Sequence, residues 1–329
     1  MTRESSFIRC ALASTAALIA AAGLARPATG VGAGVPELPG VGLRQEPLES
    51  VAVGLVLVTV VVRDGDRYAS GLGKDDFELH VDGQPVPIAT FEHRRDAPVS
   101  LVILQDLSGS MANQGKLAIS REILGHIIDS AGPEDEVAVV TFASGQARVE
   151  VPFTSDFGVL EEAMASWRGY GTTGLHDAVA WLPEISVAGR RPKRAALLLT
   201  DGNDNASELT PASAHSVVRR AQLPVYVFGF TGDVSPRNRG AGAAVETTLR
   251  QLAVGTAGRY YSLERTGDWK EAAIEVAADL RHQYVLGFAL GTGDTRFHEI
   301  SLRVRGSDPT DVFARQGYEG PPPRLDSQP

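Results

Sequence analysis

From residue 49 onward, hydrophobic residues fall into three successive patterns of spacing. Between residues 49 and 96 they come in short strand-like runs: 55–63 is rich in β-branched residues, 77–81 alternates, and 86–91 forms a third run. Asp64-Gly65 and Asp82-Gly83 are hairpin-type turns between them, so this segment predicts a small β unit too thin to bury both of its faces.

From 97 to 282 strands alternate with helical periods. Apolar strands are expected at 100–104, 136–142, 194–200, 225–230 and 259–262, with 147–153 alternating as an edge strand does. Between them, 117–131 sets Ile123, Leu124, Ile127, Ile128 and Ala131 on one face at three-and-four spacing. Helices are also expected at 160–167, 175–187, 212–221, 245–254 and 269–282. Such alternation implies right-handed crossovers and a doubly wound, mainly parallel sheet covered on both sides, an α/β fold.

After Gln283 the pattern returns to strands at 284–290, 298–305 and 312–315, with a turn at 291–294. Segments 49–96 and 283–318 are each too small to stand alone. The economical reading is one discontinuous all-β unit into which the α/β domain 97–282 is inserted, or which flanks it. The Pro-rich tail 319–329 is expected to be disordered.

The N-terminus changes the picture of where the protein works. Arg3 and Arg9 precede the apolar stretch 11–24, and small residues follow at 23–25, the order of a Sec-type signal peptide cleaved near Ala25. The stretch is short for a span of roughly 20 residues. Residues 26–48, with Pro27, Pro36, Pro39 and Pro47, read as an extended linker. Cys10 is the single cysteine and precedes the apolar core, so the mature chain is expected to have no disulfide and no membrane span, and to be secreted or periplasmic.

Composition adds an exclusion. Of 329 residues, 43% are hydrophobic and 22% charged, ordinary for a soluble globular protein. The formal charge of -9, from 31 basic and 40 acidic side chains, does not suggest a nucleic-acid partner.

Three places in the α/β segment offer oxygen at strand ends or helix starts: Asp106-Leu107-Ser108-Gly109-Ser110, then Thr172-Thr173-Gly174, then Thr200-Asp201-Gly202. Ligands of doubly wound sheets bind beyond the carboxyl ends of the strands. If the strands before Asp106 and Asp201 are neighbours, both carboxylates converge there, and Thr173 reaches in from the loop above. Hard divalent cations want oxygen ligands of this kind.

With these residues in place, the segment 97–282 resembles a von Willebrand factor type A domain. The metal-ion-dependent adhesion site of that family has an Asp-x-Ser-x-Ser turn, then a Thr, then an Asp. Asp106, Ser108 and Ser110 match the turn, Thr173 the second element and Asp201 the third; Thr173 is preferred to Thr172 because Leu175 and Asp177 then fall in register. The resemblance implies a Mg²⁺ (or Mn²⁺) held by Ser108, Ser110 and Thr173, with Asp106 and Asp201 acting directly or through water. An open coordination position would take an Asp or Glu carboxylate of a partner protein. Gly71 to Phe77 and Gln283 to Gly287 resemble flanking segments of a bacterial, exported subgroup of the family.

The expectation is therefore a non-enzymatic adhesion or interaction module, the alternative being a metal-dependent hydrolase using the same site. Other chemistry fails at named positions. The phosphate-loop-like run Gly109 to Lys116 has five residues between its glycines and Leu117 where Ser or Thr should follow. His298-Glu299 lacks a second His, since Leu302 stands there, and the Ca²⁺-loop-like run from Asp201 has Ala206 and Ala212 at essential positions. Ser108 lies in no Gly-x-Ser-x-Gly elbow. His176 and Asp177 read as packing and capping residues, and Asp129, Asp135 and Asp156 receive no role.

Overall fold

The computed structural model describes residues 55–231, 239–263, 269–289, 296–306 and 311–319. All belong to the second of two units into which the chain divides, Val51–Pro329. The expected signal peptide, the linker, the turn at 291–294 and the tail from residue 320 lie outside the described residues.

The first strands are β1 (Leu55–Asp64), β2 (Arg67–Tyr68), β3 (Phe77–Val81), β4 (Gln84–Pro85) and β5 (Thr90–Glu92). The α/β segment follows with β6 (Val99–Asp106), α1 (Lys116–Asp129), β7 (Glu136–Ala143), β8 (Gln146–Thr154), α2 (Phe157–Ser166), α3 (Leu175–Val179), α4 (Leu182–Ser186) and β9 (Lys193–Thr200). It continues through α5 (Pro211–Arg219), β10 (Val225–Gly229), α6 (Arg239–Gly255), β11 (Tyr260–Ser262) and α7 (Trp269–His282). The chain closes with β12 (Tyr284–Ala289), β13 (Phe297–Val304), β14 (Asp311–Ala314) and β15 (Gly317–Glu319).

The central sheet has the order β11-β10-β9-β6-β7-β8. Its pairs are parallel except β7 with β8, which is antiparallel, as the alternation of 147–153 predicts for an edge strand. β6, β7 and β9 are apolar on both faces because both faces are covered. Leu101, Ile103, Val137, Val139, Leu197 and Leu199 pack against α1, α2 and α7. Val102, Leu104, Val140, Ala196 and Leu198 pack against α3, α5 and α6 on the other side. This is the doubly wound α/β architecture, and the strand order makes β6 and β9 central neighbours.

The flanking segments share sheets. β1 pairs antiparallel with β12 on one side and β14 on the other, so the strand before the α/β segment lies between two that follow it. The order β14-β1-β12-β5 faces a second sheet, β15-β13-β3-β4, across a core of Val58, Val60, Phe77, Leu79, Tyr284, Leu286 and Phe288. Tyr68 of this β unit donates to Asp279 Oδ1 of α7 at 2.7 Å, and Gln222 Oε1, after α5, accepts from Leu57 N at 2.7 Å.

Two elements depart from their expected form. The run 86–91 is not one strand: β4 ends at Pro85, β5 begins at Thr90, and the two belong to opposite sheets. Pro85 and Pro87 have no N–H to give a ladder, so the chain uses this stretch to cross between the sheets. The run 175–187 is two short helices, with Pro183 in the first turn of α4, where a proline is tolerated.

Candidate metal centre

Asp106 is the last residue of β6, and Asp201 directly follows β9, the adjacent parallel strand. Both carboxylates therefore sit at the same end of the sheet, and both are buried, at 0% and 3% exposure. Burying an ionised carboxylate is costly without compensating donors or charge. For Asp106 the donors are Ser108 N, at 2.8 Å from Oδ1, and the Thr200 hydroxyl, at 2.6 Å from Oδ2. Burial nevertheless raises its pKa from 3.8 to about 6; the Thr200 and Ser108 hydrogen bonds pull it down and the nearby Asp201 charge pushes it up.

The turn after β6 brings the Ser108 and Ser110 hydroxyl oxygens to 3.2 Å from each other. Ser108 is buried and Ser110 half-buried. Ser108 starts a short 3₁₀ turn over Gly109–Ala112, whose Met111 is sunk into the core and anchors the turn.

The loop carrying Thr173 is laid directly on this turn. Tyr170 N donates to Leu107 O at 2.8 Å and Gly109 N donates to Gly171 O at 3.1 Å. The approach requires glycine: a Cβ on Gly169 would lie 2.8 Å from Ala112 N and 2.9 Å from Ser108 O. On its far side the loop joins that of Asp201. Thr173 N donates to Asn205 Oδ1 at 2.9 Å, and Thr173 O accepts from Asn205 N at 3.0 Å. Thr173 is 1% exposed. The three loops read from the sequence are thus bonded in series, 106–110 to 169–173 to 201–205.

Three residues outside the expected set complete the surroundings. Thr200 bonds Asp106 Oδ2 and accepts from Gly202 N at 2.9 Å, tying the two strand ends together. Asn205 positions Thr173. Lys116, the first residue of α1, places Nζ 2.9 Å from Asp201 Oδ2. Thr200 stands beside Asp201 in the sequence signal, but nothing in spacing alone tells that its hydroxyl turns to Asp106. Lys116 reads in isolation as a solvated helix-start lysine.

His176 and Asp177 have structural partners. His176 Nε2 lies 3.7 Å from Asp204 Oδ2, and Asp177 accepts from Glu208 N and Leu209 N, both at 2.9 Å. Asp156 caps α2 through Gly158 N, and Asp135 accepts from Val99 N and Gly132 N at the opposite end of the sheet.

The donor chemistry suits a hard cation that keeps some of its waters: two carboxylates and three hydroxyls, with no sulfur or imidazole. Among the described residues no group of three or more His, Cys, Asp or Glu side chains is placed to hold a metal. Among the described residues one ammonium, that of Lys116, bonds this pair of buried carboxylates, at Asp201, while Asp106 is held by neutral donors alone.

The family profile of the von Willebrand factor type A domain matches residues 100–272. The chain belongs to this family, whose domains generally mediate protein–protein interactions. Solved structures give similarity at low identity. The von Willebrand factor type A protein of Catenulispora acidiphila is 16% identical, with 84% of this chain and 76% of that one covered and a TM-score of 0.45. An aerotolerance-related membrane protein of Bacteroides fragilis is 20% identical over 55% of this chain and 98% of its own, at 0.44. The vWF domain of the type V pili tip protein Mfa5 of Porphyromonas gingivalis is 11% identical over 55% and 95%, at 0.41. No curated protein gives a match. Among the described residues no helix is long and apolar enough to cross a membrane.

Proposed function

We propose that this chain is an exported adhesion or scaffolding protein, not an enzyme, whose α/β domain captures an acidic side chain of another protein at a Mg²⁺ (or Mn²⁺) site. Ser108, Ser110 and Thr173 would offer hydroxyl ligands, and Asp106 and Asp201 would act directly or through water. The cation, when bound, supplies an electrophilic position for a carboxylate from outside. The protein's own residues do the rest: Thr200 and Ser108 N orient Asp106, and Asn205 holds the Thr173 loop in register with the Asp201 loop.

The observation that carries this reading is the convergence of two buried carboxylates, Asp106 and Asp201, at the ends of adjacent central strands. Few carboxylates and several neutral hydroxyls leave a cation with unspent charge, which suits capture of an anion better than mere structural support.

The test is affinity purification on immobilised mature protein in Mg²⁺ and in EDTA, with Asp201→Ala beside the wild type. A partner retained by the wild type in Mg²⁺, and lost both in EDTA and in Asp201→Ala, supports the reading. Retention unaffected by either contradicts it. Turnover of phosphoester or peptide substrates that disappears in Asp106→Ala would make the site hydrolytic instead.

A further inference from the structure

Lys116 is at an electrostatically unfavourable place. It opens α1, where unsatisfied backbone N–H groups carry partial positive charge, and the first turn of that helix has no acidic residue to offset it. A long, flexible lysine at a helix start ordinarily extends into water. This one turns inward. Its Nζ donates to Asp201 Oδ2 at 2.9 Å, with the lysine side chain 12% and the aspartate side chain 1% exposed. Removing one partner from such a pair leaves an uncompensated buried charge, so the contact differs in kind from a solvated surface ion pair.

Among the described residues the other carboxylate of the centre, Asp106, has no such charged donor. Asp106 is held by the Thr200 hydroxyl and Ser108 N, both neutral donors. Asp201 Oδ1 accepts weakly from Asn203 N at 3.3 Å, so Lys116 is its main support. Of the two carboxylates, one is therefore already matched by a positive charge belonging to the chain itself.

We propose that Lys116 is a tethered competitor for the cation: its ammonium occupies Asp201 in the metal-free protein and opposes a divalent ion at the same carboxylate, which lowers metal affinity. The inference rests on the metal reading given under Proposed function. The ammonium keeps Asp201 compensated while no metal is bound, so the centre holds its shape without a cation. A divalent ion must then displace the ammonium or bind beside it, and either outcome costs Coulomb energy in a buried setting.

The test is calorimetric titration of Mn²⁺ alone into the full chain at low ionic strength, for the wild type, two neutral replacements, Lys116→Met and Lys116→Gln, and the charge-retaining Lys116→Arg. The neutral variants are expected to bind Mn²⁺ about tenfold more tightly than wild type, since charges a few ångströms apart in a buried site interact by more than the 1.4 kcal/mol that a factor of ten represents. Lys116→Arg is expected to stay within about threefold of wild type, because it keeps the charge. In EDTA the neutral variants should melt below wild type, and saturating Mn²⁺ should raise their melting temperature by more than it raises that of wild type. Neutral variants that bind Mn²⁺ no more tightly than wild type overturn the proposal and leave the metal reading standing. A gain in Lys116→Arg equal to theirs overturns it as well, since packing rather than charge would then be the cause. Absence of Mn²⁺ binding in all four proteins removes both this inference and the metal site.

Discussion

Thr200 donates its hydroxyl hydrogen to Asp106 Oδ2 at 2.6 Å, from the end of β9 to the end of β6 beside it. Thr200 Oγ1 in turn accepts from Gly202 N at 2.9 Å. One small side chain thus orients the first carboxylate of the candidate centre and shapes the turn that carries the second. Replacing it with Val conserves volume and removes both bonds. Thr200→Val is expected to lose about 1–3 kcal/mol of stability by chemical denaturation, the cost of leaving buried partners unsatisfied. Thr200→Ser should retain most of it. Equal stability of Thr200→Val and wild type would show that Asp106 does not depend on this bond.

Gly169 lets the Thr173 loop lie on the Ser108 turn. A methyl group there would meet Ala112 and Ser108 backbone atoms at 2.8 and 2.9 Å, and neither can yield without moving the turn. Gly169→Ala is expected to cost about 1–3 kcal/mol through overpacking, and to weaken Mn²⁺ binding in calorimetry because the turn carries Ser108 and Ser110. The control is Gly125→Ala in the middle of α1, where a Cβ meets nothing within 4 Å. That change should stabilise the protein by up to about 1 kcal/mol. Identical effects of the two substitutions would contradict the packing account.

Lys193 gives a pH signature at the other end of the sheet. It is 0% exposed, its ammonium donates to Arg281 O at 2.9 Å, and burial, then the Arg281 charge, lowers its pKa from 10.5 to about 8. Between those values the unfolded chain holds more proton than the folded one, so this group makes stability rise with pH across the window. Lys193→Met removes the charge. Its stability relative to wild type should be most favourable below about pH 8 and should decline towards pH 10, as the wild-type lysine sheds its proton. Denaturation curves at several pH values in that range check this. A difference that does not vary with pH would mean that the buried lysine titrates as it does in the unfolded chain.

Much of the arrangement was legible in residue order because the strands before Asp106 and Asp201 are apolar on both faces. Only a strand buried in a covered parallel sheet reads that way, and its carboxyl end is where ligands bind. The partnership of Thr200 with Asp106 was not legible. Those residues are far apart in sequence, and their bond depends on which strands are neighbours and which way a hydroxyl rotates. Lys116 was hidden for a related reason: a lysine at the start of an amphipathic period looks solvated until Asp201 is placed beside it. In the β unit, apolar alternation marks strands but carries no partner information, so the position of β1 between β12 and β14 had to come from the fold. Pro183 and Pro87 interrupt runs whose hydrophobicity alone suggested continuous elements.

Asp106, Ser108, Ser110, Thr173 and Asp201 are proposed to form one cation site. The most direct test is calorimetric titration of Mg²⁺ and Mn²⁺ into the full chain, with Asp106→Ala and Asp201→Ala run alongside and their folding checked by circular dichroism. One saturable site is expected in the wild type at millimolar metal or below, and no measurable binding in either folded variant. A wild type that takes up neither ion, or variants that bind as well as it does, would contradict it.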